Sequence, residues 1–122
     1  MLNGVIARGT TPILSFPLPK IYKQSDFKDF IITFHQKGQI ALIKRGADVL
    51  KDTNTNIDVE KNVVISLTQE ETLLFNPLLK TIQVEVKAVT TDEQVLILGY
   101  YRYRHEAQCE SDIFELVGPN NI

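Results

Sequence analysis

The sequence predicts an all-β protein, a two-sheet antiparallel β-sandwich of immunoglobulin-like size with about 6–8 short strands. Within Thr81–Val89, polar and apolar residues alternate strictly as far as Ala88, the period of a strand with one wet face. Short apolar runs also recur between turn residues along the chain, and helical periodicity is absent apart from one turn near 69–74. A small open barrel is the alternative fold.

Length and composition favour one domain over residues 1–122, with 1–10 as an N-terminal arm and 118–122 as a tail. Thirteen basic and 15 acidic residues give a net charge of −2, which favours neither nucleic acid nor an anionic membrane as a partner. A single cysteine, Cys109, excludes an intramolecular disulfide. No apolar run approaches the roughly 20 residues that span a bilayer, so we expect a protein that is neither secreted nor membrane-bound.

The first predicted strand is Ile13–Leu18, with alternate residues on one face. Pro17 and Pro19 lack the amide hydrogen that a central strand donates, so this strand is expected at a sheet edge or to end at Pro17. The segment Ser25–Asp29 is expected to form a loop or a single helical turn before the next strand.

A β-hairpin is predicted next, because the apolar runs Phe30–Gln36 and Gln39–Lys44 are separated only by Lys37 and Gly38. Glycine accepts the positive φ that a tight turn requires. His35, close to this turn and opposite the apolar face, is expected to be a surface imidazole.

Residues 45–62 are polar and irregular, and Asn62–Leu67 is the following strand. Thr68 and Glu71 then match a capping box, in which the two side chains accept hydrogen bonds from exposed amides at a helix start. A single helical turn is therefore expected over about 69–74.

The alternating strand spans about 80–90 and is predicted to form a second hairpin with 94–98. Gly99 indicates a bulge or bend, after which 100–105 is expected to be a mostly exposed extension. The last predicted strand is 113–117.

Only His105, Cys109 and Glu110 bring a histidine, a cysteine and a carboxylate close together in the sequence. A zinc site usually needs four ligands and a catalytic cysteine needs a paired base, so a polar loop with a bystander thiol is the favoured interpretation. No catalytic residue, metal ligand or cofactor is predicted, and we expect that the protein is not an enzyme.

One segment interleaves aromatic rings with guanidinium groups, and we call it the Tyr/Arg arm. Tyrosine and arginine are enriched in protein–protein hot spots, so a protein interface with a neighbouring subunit is the favoured role. A plain exposed strand, or a surface that stacks nucleic-acid bases, remains open. The arm comprises Tyr100, Tyr101, Arg102, Tyr103 and Arg104.

An ordered set of short motifs resembles small bacteriophage and prophage proteins of low-GC and gut bacteria, most of them uncharacterised. The motifs are an Arg-Gly-Thr-Thr-Pro start at 8–12, Ile-Thr-Phe-His-Gln-Lys-Gly at 32–38, a Leu-Thr-Gln-Glu-Glu-Thr-Leu segment at 67–73, and a Val-Glu-Val-Lys strand ending at 90–92. The resemblance spans roughly residues 8–98, and the segment 100–110 departs from it.

This resemblance implies a non-enzymatic phage structural or accessory protein, such as a capsid decoration, head–tail joining or tail-associated subunit. It implies a virion location after synthesis in the host cytoplasm, with copies of itself or other virion proteins as partners in a symmetric assembly. The alternative is a free intracellular phage module that binds a host or phage protein, and a small enzyme ranks last.

Overall fold

The computed structural model describes residues 2–52 and 56–106, and in it two β-sheets pack face to face, so the predicted β-sandwich is confirmed. One sheet has five strands in the order β1-β7-β6-β3-β4, and the other pairs β2 with β5. The strands are β1 Gly4–Ala7, β2 Ile13–Pro17, β3 Phe27–Gln36, β4 Gln39–Arg45, β5 Asn62–Ser66, β6 Thr81–Thr90 and β7 Val95–Glu106. Helix α1 spans Gln69–Thr72, and single 3-10 turns span Gln24–Asp26 and Gly46–Asp48.

The core lies between the two sheets, and β6 is the central strand of the larger one. Its inward residues Ile82, Val84, Val86 and Ala88 are at most 1% exposed, as the alternation predicts. Because β6 has neighbours on both sides, every inward position along it meets apolar partners. The largest fully buried side chains of the core are Phe16, Phe34, Phe75, Ile6, Ile32, Ile65, Leu67 and Ile82.

Both predicted hairpins are present. Lys37 and Gly38 have φ of 49° and 79°, the two positive values that a two-residue turn matching the strand twist requires. The second hairpin joins β6 to β7 and is longer than predicted, because β7 runs on to Glu106. The predicted bulge lies at Gly99, which opposes Val86 while Ile97 opposes the next residue of β6, leaving one extra residue in β7.

Residues 1–10 were expected to be an arm, but Gly4–Ala7 forms β1 and pairs with the end of β7. This pair is parallel, the one parallel pairing among the described strands, and it departs from the predicted all-antiparallel arrangement. A four-residue strand with a single fully buried residue, Ile6, is too short to show a period-two pattern. The edge strand that ends at Pro17 is present as predicted.

The helical turn begins as predicted. The Thr68 hydroxyl accepts a hydrogen bond from the Glu71 amide at 3.0 Å, and Glu71 Oε1 accepts one from the Thr68 amide at 2.9 Å. No helix within the described ranges is long and apolar enough to cross a membrane. The predicted strand 113–117, the tail 118–122 and Cys109 lie outside the described residues.

Candidate functional site: the outer face of the large sheet

The smaller sheet covers one side of the five-stranded sheet, and we call the other side the outer face. Several large side chains on this face are open to solvent. Tyr100 is 68% exposed, Val95 66% and Ile97 53%. A contiguous exposed apolar surface with a polar surround is characteristic of a binding site.

Strand alternation divides the Tyr/Arg arm between the two sides of the sheet. The whole arm lies within β7, so the expected exposed extension is wrong. Tyr100, Arg102 and Arg104 are exposed, whereas Tyr101 and Tyr103 point into the sandwich. The period of two that revealed β6 applies to β7 as well, but two inward tyrosines among arginines conceal it in the sequence.

The two inward tyrosines are structural. The Tyr101 ring lies 4.8 Å from the Phe16 ring, and Tyr103, 6% exposed, meets Phe16 edge-on at 6.5 Å. These distances and angles are typical of favourable aromatic pairs. Of the five residues predicted as an interface, only three are therefore available to a partner.

Burial raises the pKa of Tyr103 from its usual 10.0 to about 12, with a smaller contribution from Tyr101. The folded state therefore favours the neutral phenol, and the resulting stability is present below pH 10 and lost as the pH rises through about 12. We expect the urea midpoint of the wild type to fall over this range and that of Tyr103→Phe to fall less. An identical decline in both proteins, measured by fluorescence-detected unfolding, would show that another group is responsible.

Two neighbouring rows of outer-face residues cross the sheet. Strand register places Glu85 between Thr33 and Tyr100, and it places Lys87 between Ile31 and Ile97. On β4, Ile43 and Arg45 extend the two rows in the same order. Glu85 Oε1 and Lys87 Nζ are 3.9 Å apart, so the centre of the face carries one acidic and one basic side chain next to each other.

Two adjoining depressions lie along β6 and β7 on this face. One, of about 340 Å³, is lined by His35, Glu85 and Tyr100 among others. The second, of about 230 Å³, lies towards the β3–β4 turn and is lined by Lys37, Lys80 and Thr81 among others. Gln83 and Arg102 line both, so the two depressions are neighbours.

His105 is a buried residue of β7 rather than part of the polar loop that the sequence suggested. It is 3% exposed, its Nδ1 lies 2.9 Å from the Leu79 carbonyl oxygen, and its ring meets Phe75 edge-on. Nε2 has no hydrogen-bond partner among the described residues. His35 lies half-buried on the outer face, and no cluster of three metal-ligating side chains occurs within the described ranges.

Buried polar side chains that the sequence pattern did not reveal hold the loops around this sheet. Gln24 donates to the carbonyl oxygens of Val59 and Asn62 at 2.9 and 3.1 Å. Gln36 accepts the Asn76 amide hydrogen at 2.8 Å. The only sequence signal for such a role is a polar residue at a buried position of a strand or turn. The signal can be used only when it is already known which positions are buried.

Comparison with known proteins adds little to this geometry. No family model matches the sequence, and no curated protein matches it either. Among solved structures, CopC from Methylosinus trichosporium OB3b is similar at a TM-score of 0.44 and 11% sequence identity, covering 88% of this chain and 87% of that one.

The expectation of a bacteriophage structural or accessory protein is wrong. Neither a family model nor a curated sequence supports a phage role. The motifs behind that expectation have structural explanations here: Thr68 and Glu71 cap a helix, and the Val-Glu-Val-Lys segment is a core strand.

Proposed function

We propose that this protein is a binding domain that acts through its outer face, and that the face docks a second copy of the chain. The observation that carries the proposal is the exposure of Tyr100 and Ile97 on the outer face of the five-stranded sheet. Exposed aromatic and aliphatic side chains are the usual anchors of a protein interface.

The order of charges on the face favours a second copy. Consider two copies whose outer faces meet, related by a two-fold axis that lies between the faces, perpendicular to the strands and midway between the two rows. Each row of one copy then lies opposite the other row of its partner. Glu85 of one copy then meets Lys87 of the other, and this contact occurs twice. In the same arrangement Tyr100 packs on Ile97, and Thr33 on Ile31.

The size of the face fits a reversible dimer. The four strands that carry the rows, about 4.8 Å apart and with about six residues of 3.3 Å each, cover roughly 400 Å² per copy, and two copies bury roughly 800 Å². That total is at the low end for specific interfaces, well below that of obligate dimers. We therefore expect a concentration-dependent equilibrium between monomer and dimer.

Sedimentation equilibrium over a range of concentrations tests the dimer. Ile97→Glu replaces the apolar side chain that packs on Tyr100 of the partner with a charged one and is expected to weaken association at least about tenfold. Ile21→Glu makes the same change at a residue that is 82% exposed and outside the large sheet, and it is expected to leave association unchanged. A wild type that stays monomeric at all concentrations overturns the proposal.

Charge reversal tests the two-fold arrangement itself. Glu85→Lys and Lys87→Glu each place like charges opposite one another in their own dimers, so each alone is expected to weaken association. Mixing the two variants brings opposite charges together and is expected to restore a mixed dimer. Two variants that associate as the wild type does, or a mixture that stays monomeric, would refute this register.

A further inference from the structure

We propose that the depression between Lys37, Lys80 and Arg102 is a binding site for a small multivalent oxyanion, with phosphate or carboxylate groups as the recognised chemistry. The site goes beyond the proposed dimer, since Lys37 and Lys80 lie outside the two outer-face rows. Its volume is about 230 Å³, and Thr81 and Gln83 supply neutral hydrogen-bonding groups beside the three cations.

The local charge is the first support. The chain as a whole has a net charge of −2, yet no acidic side chain from the described part of the chain lines this depression. Nearby acids of the face are close to other cations: Glu85 lies 3.9 Å from Lys87, and Glu106 lies 3.7 Å from Arg104.

The three lining cations remain without a carboxylate partner. No ion pair to Lys37, Lys80 or Arg102 is present among residues 2–52 and 56–106. Three like charges around one depression repel one another, and a bound anion relieves that repulsion.

The backbone that presents these cations is held in place, which is the second support. The His105 amide donates to the Lys80 carbonyl oxygen at 2.7 Å, while the buried His105 ring lies against the Leu79 carbonyl. Arg102 donates its amide hydrogen to Asn3 Oδ1 at 2.9 Å and accepts the Asn3 amide hydrogen at its own carbonyl.

Lys37 is the first residue of the tight β3–β4 turn, at a φ of 49°. All three cations thus stand on ordered backbone and lose little main-chain freedom when an anion binds. This assigns a positioning role to His105.

The guanidinium of Arg102 suits the recognition of an oxyanion by paired hydrogen bonds, whereas the two lysines act as point charges. Such a set binds phosphate and carboxylate by the same contacts, so charge and the spacing of oxygens decide between them. Pyrophosphate and citrate are the probes that separate the two sources, with chloride at matched ionic strength as the reference.

The experiment is a titration of the full chain labelled with ¹⁵N, followed by amide chemical shifts. We expect pyrophosphate, citrate or both to shift the amides of Thr81, Gln83 and Arg102 in a saturable way. Lys80→Gln combined with Arg102→Gln is expected to weaken binding at least about tenfold, because charge-assisted contacts each contribute affinity of that order. Binding by one probe alone identifies its acid group as the source.

The matched control is Lys20→Gln with Lys51→Gln, which removes the same charge at exposed positions outside the depression. The affinity of this control variant is expected to stay within about twofold of the wild-type value, because only the long-range electrostatic field of the protein changes. Equal weakening by both double variants, shifts confined to other amides, or a response that chloride reproduces would overturn the site. Ile97→Glu, which is expected to weaken the dimer, is expected to bind the anion normally, so failure of the dimer and failure of this site are told apart.

Discussion

Phe75→Ala is expected to lower the free energy of unfolding by about 3–5 kcal/mol, a large part of the roughly 5–15 kcal/mol that holds a domain of this size together. The Phe75 ring is fully buried, 5.9 Å from the Phe34 ring and 5.8 Å from the His105 ring. Phe75 follows α1, lies in no strand itself, and packs against side chains of β3 and β7. Truncation leaves a cavity that neighbouring strands, fixed by their hydrogen bonds, cannot close.

The adjacent residue supplies the control for this prediction. Leu74 is 57% exposed, so Leu74→Ala is expected to change stability by no more than about 0.5 kcal/mol. Urea unfolding at neutral pH measures both variants on the same chain. A loss of less than about 1 kcal/mol for Phe75→Ala would mean that the site collapses around the smaller side chain.

Glu71→Gln is expected to cost about 2–4 kcal/mol, because it leaves an almost fully buried ammonium without its counter-charge. Lys44 Nζ lies 3.0 and 2.9 Å from the two carboxylate oxygens of Glu71, and the Lys44 side chain is only 9% exposed. Glutamine at the same position keeps the hydrogen bond to the Thr68 amide, so the cap of α1 is retained. The substitution therefore isolates the ion pair between α1 and β4.

Lys44→Met is the matched partner variant, since it keeps the length of the side chain and removes the buried charge. Glu71 is 24% exposed and can be hydrated when alone, so the loss is expected to be smaller than for Glu71→Gln. The double variant is expected to be more stable than Glu71→Gln alone, because no buried charge is then left unpaired. Strictly additive losses in urea unfolding would exclude an energetic coupling between the two residues.

Much of the framework follows from local pattern. The alternation at Thr81–Val89, the glycine turn at Gly38 and the capping box at Thr68 each act over a few residues, so each is visible in the chain and each is confirmed. Pro17 ends its strand for the same reason: the missing amide hydrogen is a property of that residue alone.

The candidate site was only partly predictable. Tyr100, Arg102 and Arg104 were singled out by composition and lie in the open, but Tyr101 and Tyr103 from the same run are core residues. Side chains of tyrosine suit either environment, since the ring is apolar and the hydroxyl is polar. Only the pairing of β7 with β6 decides which ring faces which side.

The sequence by itself determined the sandwich class, the two hairpins and the capped turn, because these depend on periods and turn residues that are close neighbours in the chain. The tertiary structure decided the rest: the parallel pairing of β1 with β7, the ion pair from Lys44 to Glu71, the burial of His105, and the meeting of Lys37, Lys80 and Arg102. Each of these joins residues distant along the chain, and their contact depends on strand order and register, which no local pattern encodes.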